Sequence, residues 1–413
     1  MKYYRYCSFC LCQAGGALPE GAEPADEAFT PLVFLVERDP KQSRGYYAIR
    51  SLSERSEPEG ANLLLPACPA KENGALARLV SANGACVINT AFSRGFDVLQ
   101  YSAVRANVRK KVCLVGLGDV GGAVLTGLKL LGTDLSEIGL YDPDGKRCAR
   151  YEAELNQILP VRGGEALPEV KIVSEAELFD CDALIFTASR GVPPVGREAG
   201  DVRMAQYAAN RDMLRAYAHR ARKSGFCGLF CQVSDPVDQL ARAVFLMSNE
   251  TDTGEFDANG LLPEQVRGFG LGVMRARAVY LAKRQGIPAE AFCAFGPHGA
   301  GLVIANAPEE GYDDALSRRL TEETVQANLS IRALGYKPYI APGLSSAAIS
   351  ILRALRGEWH DAAIPGGGVY FGCETRLTKN GSERRRRGLD PALYARIKES
   401  WRRLKEFDAA WTN

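Results

Sequence analysis

The residues best equipped for chemistry lie together in Val112-Cys113-Leu114-Val115-Gly116-Leu117-Gly118-Asp119-Val120-Gly121. Four apolar residues run into a Gly-x-Gly-x-x-Gly turn. An apolar-periodic segment follows through Leu131, so the stretch reads as strand, tight turn and helix. Each glycine has its own expected task. Gly116 permits the turn, Gly118 lets the backbone approach a pyrophosphate, and Gly121 lets the helix pack against the strand. The helix opening at Asp119 and Val120 presents free N–H groups and a partial positive charge to the phosphates. About twenty residues on, 138–142 reads as a second strand ending in Asp142, placed to hydrogen-bond ribose hydroxyls and repel a 2′-phosphate. The pair predicts NAD as cofactor, in preference to NADP.

Such a site needs a sheet behind it. Short apolar runs at 112–116, 138–142, 183–187 and 228–233 are of the kind buried in parallel sheets. A helix over 202–223 carries Met204, Tyr207, Ala208, Leu214 and Tyr217 on one face. Residues 109–250 are therefore expected to form an α/β, doubly wound nucleotide-binding domain. The remainder, 251–413, is mixed. It shows helices at 272–284, 313–334 (capped by Gly335) and 344–355, and a strand-like pair at 294–305 around a glycine turn. A strand at 369–377 meets a Lys379-Asn380-Gly381 hairpin turn. A last helix opens at Asp390-Pro391, with Leu393, Ile397, Trp401 and Leu404 as its apolar stripe. The run Arg384, Arg385, Arg386, Arg387 reads as a solvated loop, with anion contact as the alternative.

Residues 1–108 form a small mixed extension of unreadable role, with strands at 3–9, 32–37 and 46–51 and a helix at 74–81. Cys7, Cys10 and Cys12 read as strand cysteines, because no second pair follows to complete a zinc site. No metal is expected.

Composition narrows the class. With 51 Lys and Arg against 49 Asp and Glu, nothing points to nucleic acid or an anionic membrane as partner. No apolar run reaches the roughly 18 residues of a membrane span. Met1-Lys2-Tyr3-Tyr4-Arg5-Tyr6 lacks a signal-peptide core. Twelve cysteines, scattered in apolar strands as at Cys113, Cys231 and Cys293, suit a reducing compartment. A soluble cytoplasmic protein is expected.

Five motifs in order resemble the lactate/malate dehydrogenase family over about residues 111–410. They are the Gly116-to-Gly121 turn; Thr187-Ala188-Ser189, opening a loop that closes near Arg203; Ser234-Asp235-Pro236-Val237-Asp238; Arg277 on its helix; and Gly296-Pro297-His298-Gly299. The resemblance implies a Rossmann domain followed by an α+β catalytic domain. It implies hydride transfer between NAD(H) and a small 2-hydroxy or 2-oxo acid, and assembly as a homodimer or homotetramer. Such a reaction needs a cation for the carboxylate, an acid/base for the hydroxyl proton and polarisation of the developing carbonyl. Arg277 fits the first role, as a guanidinium binds a carboxylate bidentately. His298 fits the second, being the one histidine in a glycine-flanked turn; His219 and His360 read as structural. Arg203 resembles the family's mobile-loop arginine, Thr187 and Ala188 lie on the cofactor side, and Arg190 or Arg197 could meet a second carboxylate.

The chain departs from the family in places that matter. Met274 stands where the family helix carries an aspartate that hydrogen-bonds the histidine, Asp235 replaces the Ser-Asn-Pro asparagine, and Pro297 replaces a glutamate. One carboxylate is lost as another appears, so Asp235 is expected near His298, taking over part of the missing aspartate's electrostatic work. Two other readings stay open: a catalytically lost NAD-binding sensor or assembly protein, and a dehydrogenase whose Asp235 reads a cationic substrate.

Overall fold

The computed structural model describes residues 1–68, 74–105, 108–190, 202–335 and 341–412; the side chains of 202–205, 332, 341 and 412 lie outside that description. The chain opens with β1 (Lys2–Tyr6), β2 (Phe9–Gln13), β3 (Glu23–Ala25), β4 (Leu32–Val36), β5 (Tyr46–Ile49), α1 (Ala75–Asn83), β6 (Ala85–Asn89) and α2 (Gly95–Arg105). The single strand expected over 3–9 is a hairpin instead. Cys7 adopts φ 50° in the turn, and β1 then pairs antiparallel with β2 from Lys2↔Gln13 to Tyr6↔Phe9. Cys10 and Cys12 lie on β2, buried with Phe34, Val80 and Val87.

Next come β7 (Lys110–Val115), α3 (Asp119–Leu131), β8 (Leu135–Tyr141), α4 (Gly145–Asn156), β9 (Glu169–Ile172), β10 (Ala183–Phe186), α5 (Val202–Lys223), β11 (Leu229–Gln232), α6 (Val237–Ser248) and β12 (Val266–Gly268). The sheet order β9-β8-β7-β10-β11-β12 is parallel throughout. Numbered within itself it runs 3-2-1-4-5-6, the doubly wound dinucleotide-binding order. Alternation along β7 explains why both faces are covered. Val112 and Leu114 face a core containing Val124, Leu128 and Ile351, while Cys113 and Val115 face one containing Leu214, Ala218 and Leu240.

The chain continues through α7 (Leu271–Arg284), β13 (Cys293–Phe295), β14 (Val303–Ala305), α8 (Asp314–Ala333), α9 (Ser345–Leu355), β15 (His360–Gly366), β16 (Val369–Thr378), β17 (Gly381–Arg384) and α10 (Pro391–Thr412). The expected stripe on α10 is buried at Leu393, Ile397, Trp401 and Leu404. β15, β16 and β17 form an antiparallel meander beside β12. At its far edge Ser382 pairs with Tyr47 of β5, so the N-terminal strands extend the same sheet. The basic run beginning on β17 is not a solvated loop. Arg385 and Arg387 bind Glu374, and Arg386 binds Glu57. Among the described residues no helix is long and apolar enough to cross a membrane.

Candidate active site

At the C-terminal end of β7 the chain turns through Gly116 at φ +92°, where a Cβ would stand 2.6 Å from the Ala188 backbone. Only glycine fits both the angle and the contact. Around Gly118 nothing lies within 4 Å of where a Cβ would be, so the turn is open to a ligand there. A Cβ on Gly121 would collide with the Gly116 carbonyl; this glycine packs helix against strand and does not line the cavity. Thr187 Oγ1 donates to the carbonyls of Val115 (3.0 Å) and Gly116 (2.6 Å), clamping the ends of β7 and β10 together. Asp142 ends just past β8, its Oδ2 accepting the Leu117 N–H at 2.7 Å and facing Arg147 Nη1 at 3.3 Å. An open glycine turn, a helix N-terminus and a carboxylate at the second strand fit a dinucleotide.

The other end of the cleft is built from three elements. The loop between β13 and β14 carries His298, the strand end before α6 carries Asp235, and α7 carries Met274 and Arg277. His298 is fixed twice. Its backbone N–H donates to Asp238 Oδ2 at 2.7 Å, and its Nδ1 lies 2.9 Å from the Gly270 carbonyl oxygen. A carbonyl can only accept, so Nδ1 carries a proton and Nε2 is left for chemistry. Nε2 faces Asp235 Oδ1 at 3.8 Å. The expected proximity of Asp235 is there, at Nε2, while the Gly270 carbonyl holds Nδ1.

Arg277 lines the same cleft with few partners of its own. Its Nη1 has Met274 Sδ at 3.8 Å, and its Nε is buried without a hydrogen-bond partner. Among the described residues no carboxylate is within ion-pair distance. Burial lowers its pKa, and the nearby charge of Asp235 works against that. Asp238 is buried, and burial raises its carboxyl to about 7, with Asp235's charge adding to the rise and the His298 N–H opposing it. Both ends open into one cavity of about 830 Å³, lined by Gly116, Gly118, Asp142, Asp235, Arg277 and His298. Asp119, Val120, Thr187 and Ala188 line it as well.

The remaining expected residues fall elsewhere. Arg190 is exposed and does not line this cavity; its backbone N–H donates to Asn210 Oδ1 at 3.0 Å. Arg197 and the Arg203 side chain lie outside the described residues. Of the three histidines, His298 alone lines the cavity. His360 is buried, stacked on Phe269, and burial with Arg267 alongside pushes it down to about 3. Sequence reasoning assigned no role to Asp238, Gly270 or Arg147. Only Asp238 left a trace, as the last residue of the Ser234-to-Asp238 motif.

No protein-family model matches the chain. It is similar to an L-lactate dehydrogenase of Mycoplasmopsis pulmonis, 27% identical over 322 residues that cover 72% of this chain and 96% of that enzyme. An L-lactate dehydrogenase of Lactobacillus delbrueckii is 26% identical over 273 residues, covering 65% and 76% respectively. In three dimensions the chain resembles a lactate dehydrogenase from a deep-sea metagenome, with TM-score 0.59 at 20% identity over 74% of this chain and 100% of that one. It also resembles the malate dehydrogenase of Archaeoglobus fulgidus in complex with NADH, with TM-score 0.58 at 16% identity over 73% and 100%.

The chain is similar in sequence to L-lactate dehydrogenases and shares the fold of lactate and malate dehydrogenases.

Its departures from the lactate/malate dehydrogenase pattern gather at the His298 end of the cleft. Met274 is buried on α7 and can neither orient nor charge-balance an imidazole. Asp235 brings a carboxylate, about half exposed, where the family has a neutral amide. The glycine turn and Asp142 keep the family pattern.

Proposed function

We propose that the chain is an NAD(H)-dependent oxidoreductase that interconverts a small 2-oxo acid and its 2-hydroxy acid, with a rearranged proton-handling pair. One observation carries the reading: among the described residues no carboxylate lies within ion-pair distance of Arg277, which lines the cavity where His298 presents Nε2 and whose own Nε has no hydrogen-bond partner. A half-buried cation of that kind calls for an anion, and a planar carboxylate meets its fork. The open turn at Gly118, the start of α3 and Asp142 would hold the dinucleotide, which when bound supplies or accepts a hydride. Arg277 fixes the acid's carboxylate and so aims the adjacent carbon. His298 Nε2 donates a proton to the carbonyl oxygen in reduction and takes it back in oxidation. The Gly270 carbonyl holds the ring in the tautomer this requires, and Asp235 offsets the imidazolium charge. Phe269, Val273 and Leu344 give the cavity apolar wall, which excludes water from the transfer. Assembly as a homodimer or homotetramer belongs to the same reading.

A second reading rests on Asp235, whose half-exposed carboxylate faces the cleft and would favour a substrate bearing a cationic group beside its carboxylate. One assay addresses both: NADH absorbance followed against 2-oxo acids with neutral, anionic and cationic side groups. Turnover on neutral or anionic members supports the main reading, and turnover confined to cationic members supports the second. Tight NADH binding without turnover on any member points instead to a binding protein.

A further inference from the structure

The seam between β17 and the N-terminal strands holds a second cavity, of about 250 Å³. Arg385, Arg386 and Arg387 beside it are each paired with a carboxylate. Arg384 is not. Among the described residues no carboxylate lies within ion-pair distance of it, and its Nη2 donates to the Pro365 carbonyl. Arg384 lines the cavity with Arg44, Arg50, Trp359, Glu54 and Glu383. Arg44 is 5% exposed; its Nε binds Glu59 at 3.0 Å, and its Nη2 is buried without a hydrogen-bond partner. Arg50 sits at the rim, its side chain 54% exposed and 3.4 Å from Glu383.

The two lining acids are already in use. Glu54 accepts the N–H groups of Arg50 and Ser51 at 3.1 and 3.0 Å and faces Arg386 at 3.3 Å. Glu383 is shared between Arg50 and Arg376. Guanidinium is therefore in surplus around the cavity, and a desolvated cation without a counter-charge is costly. Burial lowers Arg384 to about 10, which leaves it charged at neutral pH.

We propose that this seam cavity binds a phosphate group, free or on a small phosphomonoester, held between Arg384 of β17 and Arg44 of the N-terminal region with Arg50 closing the rim. A tetrahedral dianion satisfies several guanidinium N–H groups at once. Among the described residues the ladder between β5 and β17 has the single register pair Ser382↔Tyr47, so a bound phosphate adds a bridge between the N-terminal strands and the rest of the sheet. The inference does not depend on the dehydrogenase reading.

The test uses the full chain saturated with NADH, so that the glycine turn is not free to take the probe. Inorganic phosphate and methyl phosphate are titrated separately at constant ionic strength, by calorimetry and by thermal shift. The expected result is saturable one-to-one binding of inorganic phosphate with a raised Tm. Binding of methyl phosphate as well shows that a monoester is admitted, and binding of inorganic phosphate alone restricts the site to the free ion. Arg384→Gln should weaken binding by about tenfold or more, since a charge-assisted hydrogen bond is lost. Arg50→Gln, at the exposed rim, should weaken it less and serves if Arg384→Gln fails to fold. NADH affinity should not change in either. No saturable binding at millimolar phosphate, or binding that survives both substitutions unchanged, overturns the proposal.

Discussion

Asp235 and His298 face each other across the substrate end of the cleft, Oδ1 to Nε2 at 3.8 Å, while the Gly270 carbonyl holds Nδ1 at 2.9 Å. The work of one family aspartate is thereby divided. A backbone dipole supplies orientation and the tautomer, and a separate carboxylate supplies charge on the reacting side. In the proposed reading the cost of this division is that a half-exposed carboxylate shares the cleft with the substrate. It also lies near Arg277, whose charge it partly offsets.

Asp235→Asn should therefore improve binding of ordinary 2-oxo acids. Removing a like charge near the substrate carboxylate should lower KM by roughly tenfold at the effective dielectric of a partly exposed site. Steady-state kinetics on the best substrate of the panel check this. The kcat should fall at the same time, because the His298 imidazolium loses its counter-charge, and an unmoved KM would show that Asp235 does not oppose the substrate carboxylate.

Arg277→Gln should raise KM on the order of 100-fold, through loss of a bidentate charge-assisted pair, and leave the Kd for NADH unchanged. Arg277→Lys should recover little, because an ammonium cannot present the planar fork. Equal losses of NADH and substrate affinity would count against a role in holding substrate.

How much of this could be read in advance depended on distance along the chain. The glycine turn and Asp142 encode their task within about thirty residues, and alternation together with helical period was enough for most strands and helices near them. Gly270 was invisible because its contribution is a carbonyl oxygen, which every residue has. Asp238 reaches His298 only because the fold brings together residues 60 apart in sequence. The basic run was misjudged for the same reason, since Glu57 lies 329 residues from Arg386. The β1–β2 hairpin was missed because its turn depends on the backbone angle at Cys7, and a run of tyrosines and cysteines does not signal a turn.

Asp142→Ser should move cofactor preference toward NADP. The carboxylate now accepts the Leu117 N–H and faces Arg147 at 3.3 Å. Without it, repulsion of a 2′-phosphate ends and Arg147 is freed to approach that phosphate. The NADP-to-NAD ratio of kcat/KM should rise by about tenfold or more, and the further change Arg147→Ala should reverse part of the gain. Unchanged discrimination in Asp142→Ser would remove Asp142 from the role.

The last prediction concerns Asp238, which holds the His298 backbone from within the core. Burial raises its carboxyl to about 7, well above its value in the unfolded chain. The folded state thus keeps a proton that the unfolded state releases from about pH 4 upward. Stability from this group is present below that pH and declines as pH rises through the folded value near 7. Glu264, also buried and raised to about 7, adds a decline of the same sign. Asp238→Asn keeps an oxygen to accept the His298 N–H at 2.7 Å and removes the ionisation. The variant should lose a large part of the pH 4–7 slope, keep the part due to Glu264, and gain on the order of 2 kcal/mol over wild type near pH 8. Urea unfolding across that pH range measures it. Parallel stability curves for the two proteins would mean that Asp238 already ionises freely in the fold, and that the His298 loop is held by a charged rather than a protonated acid.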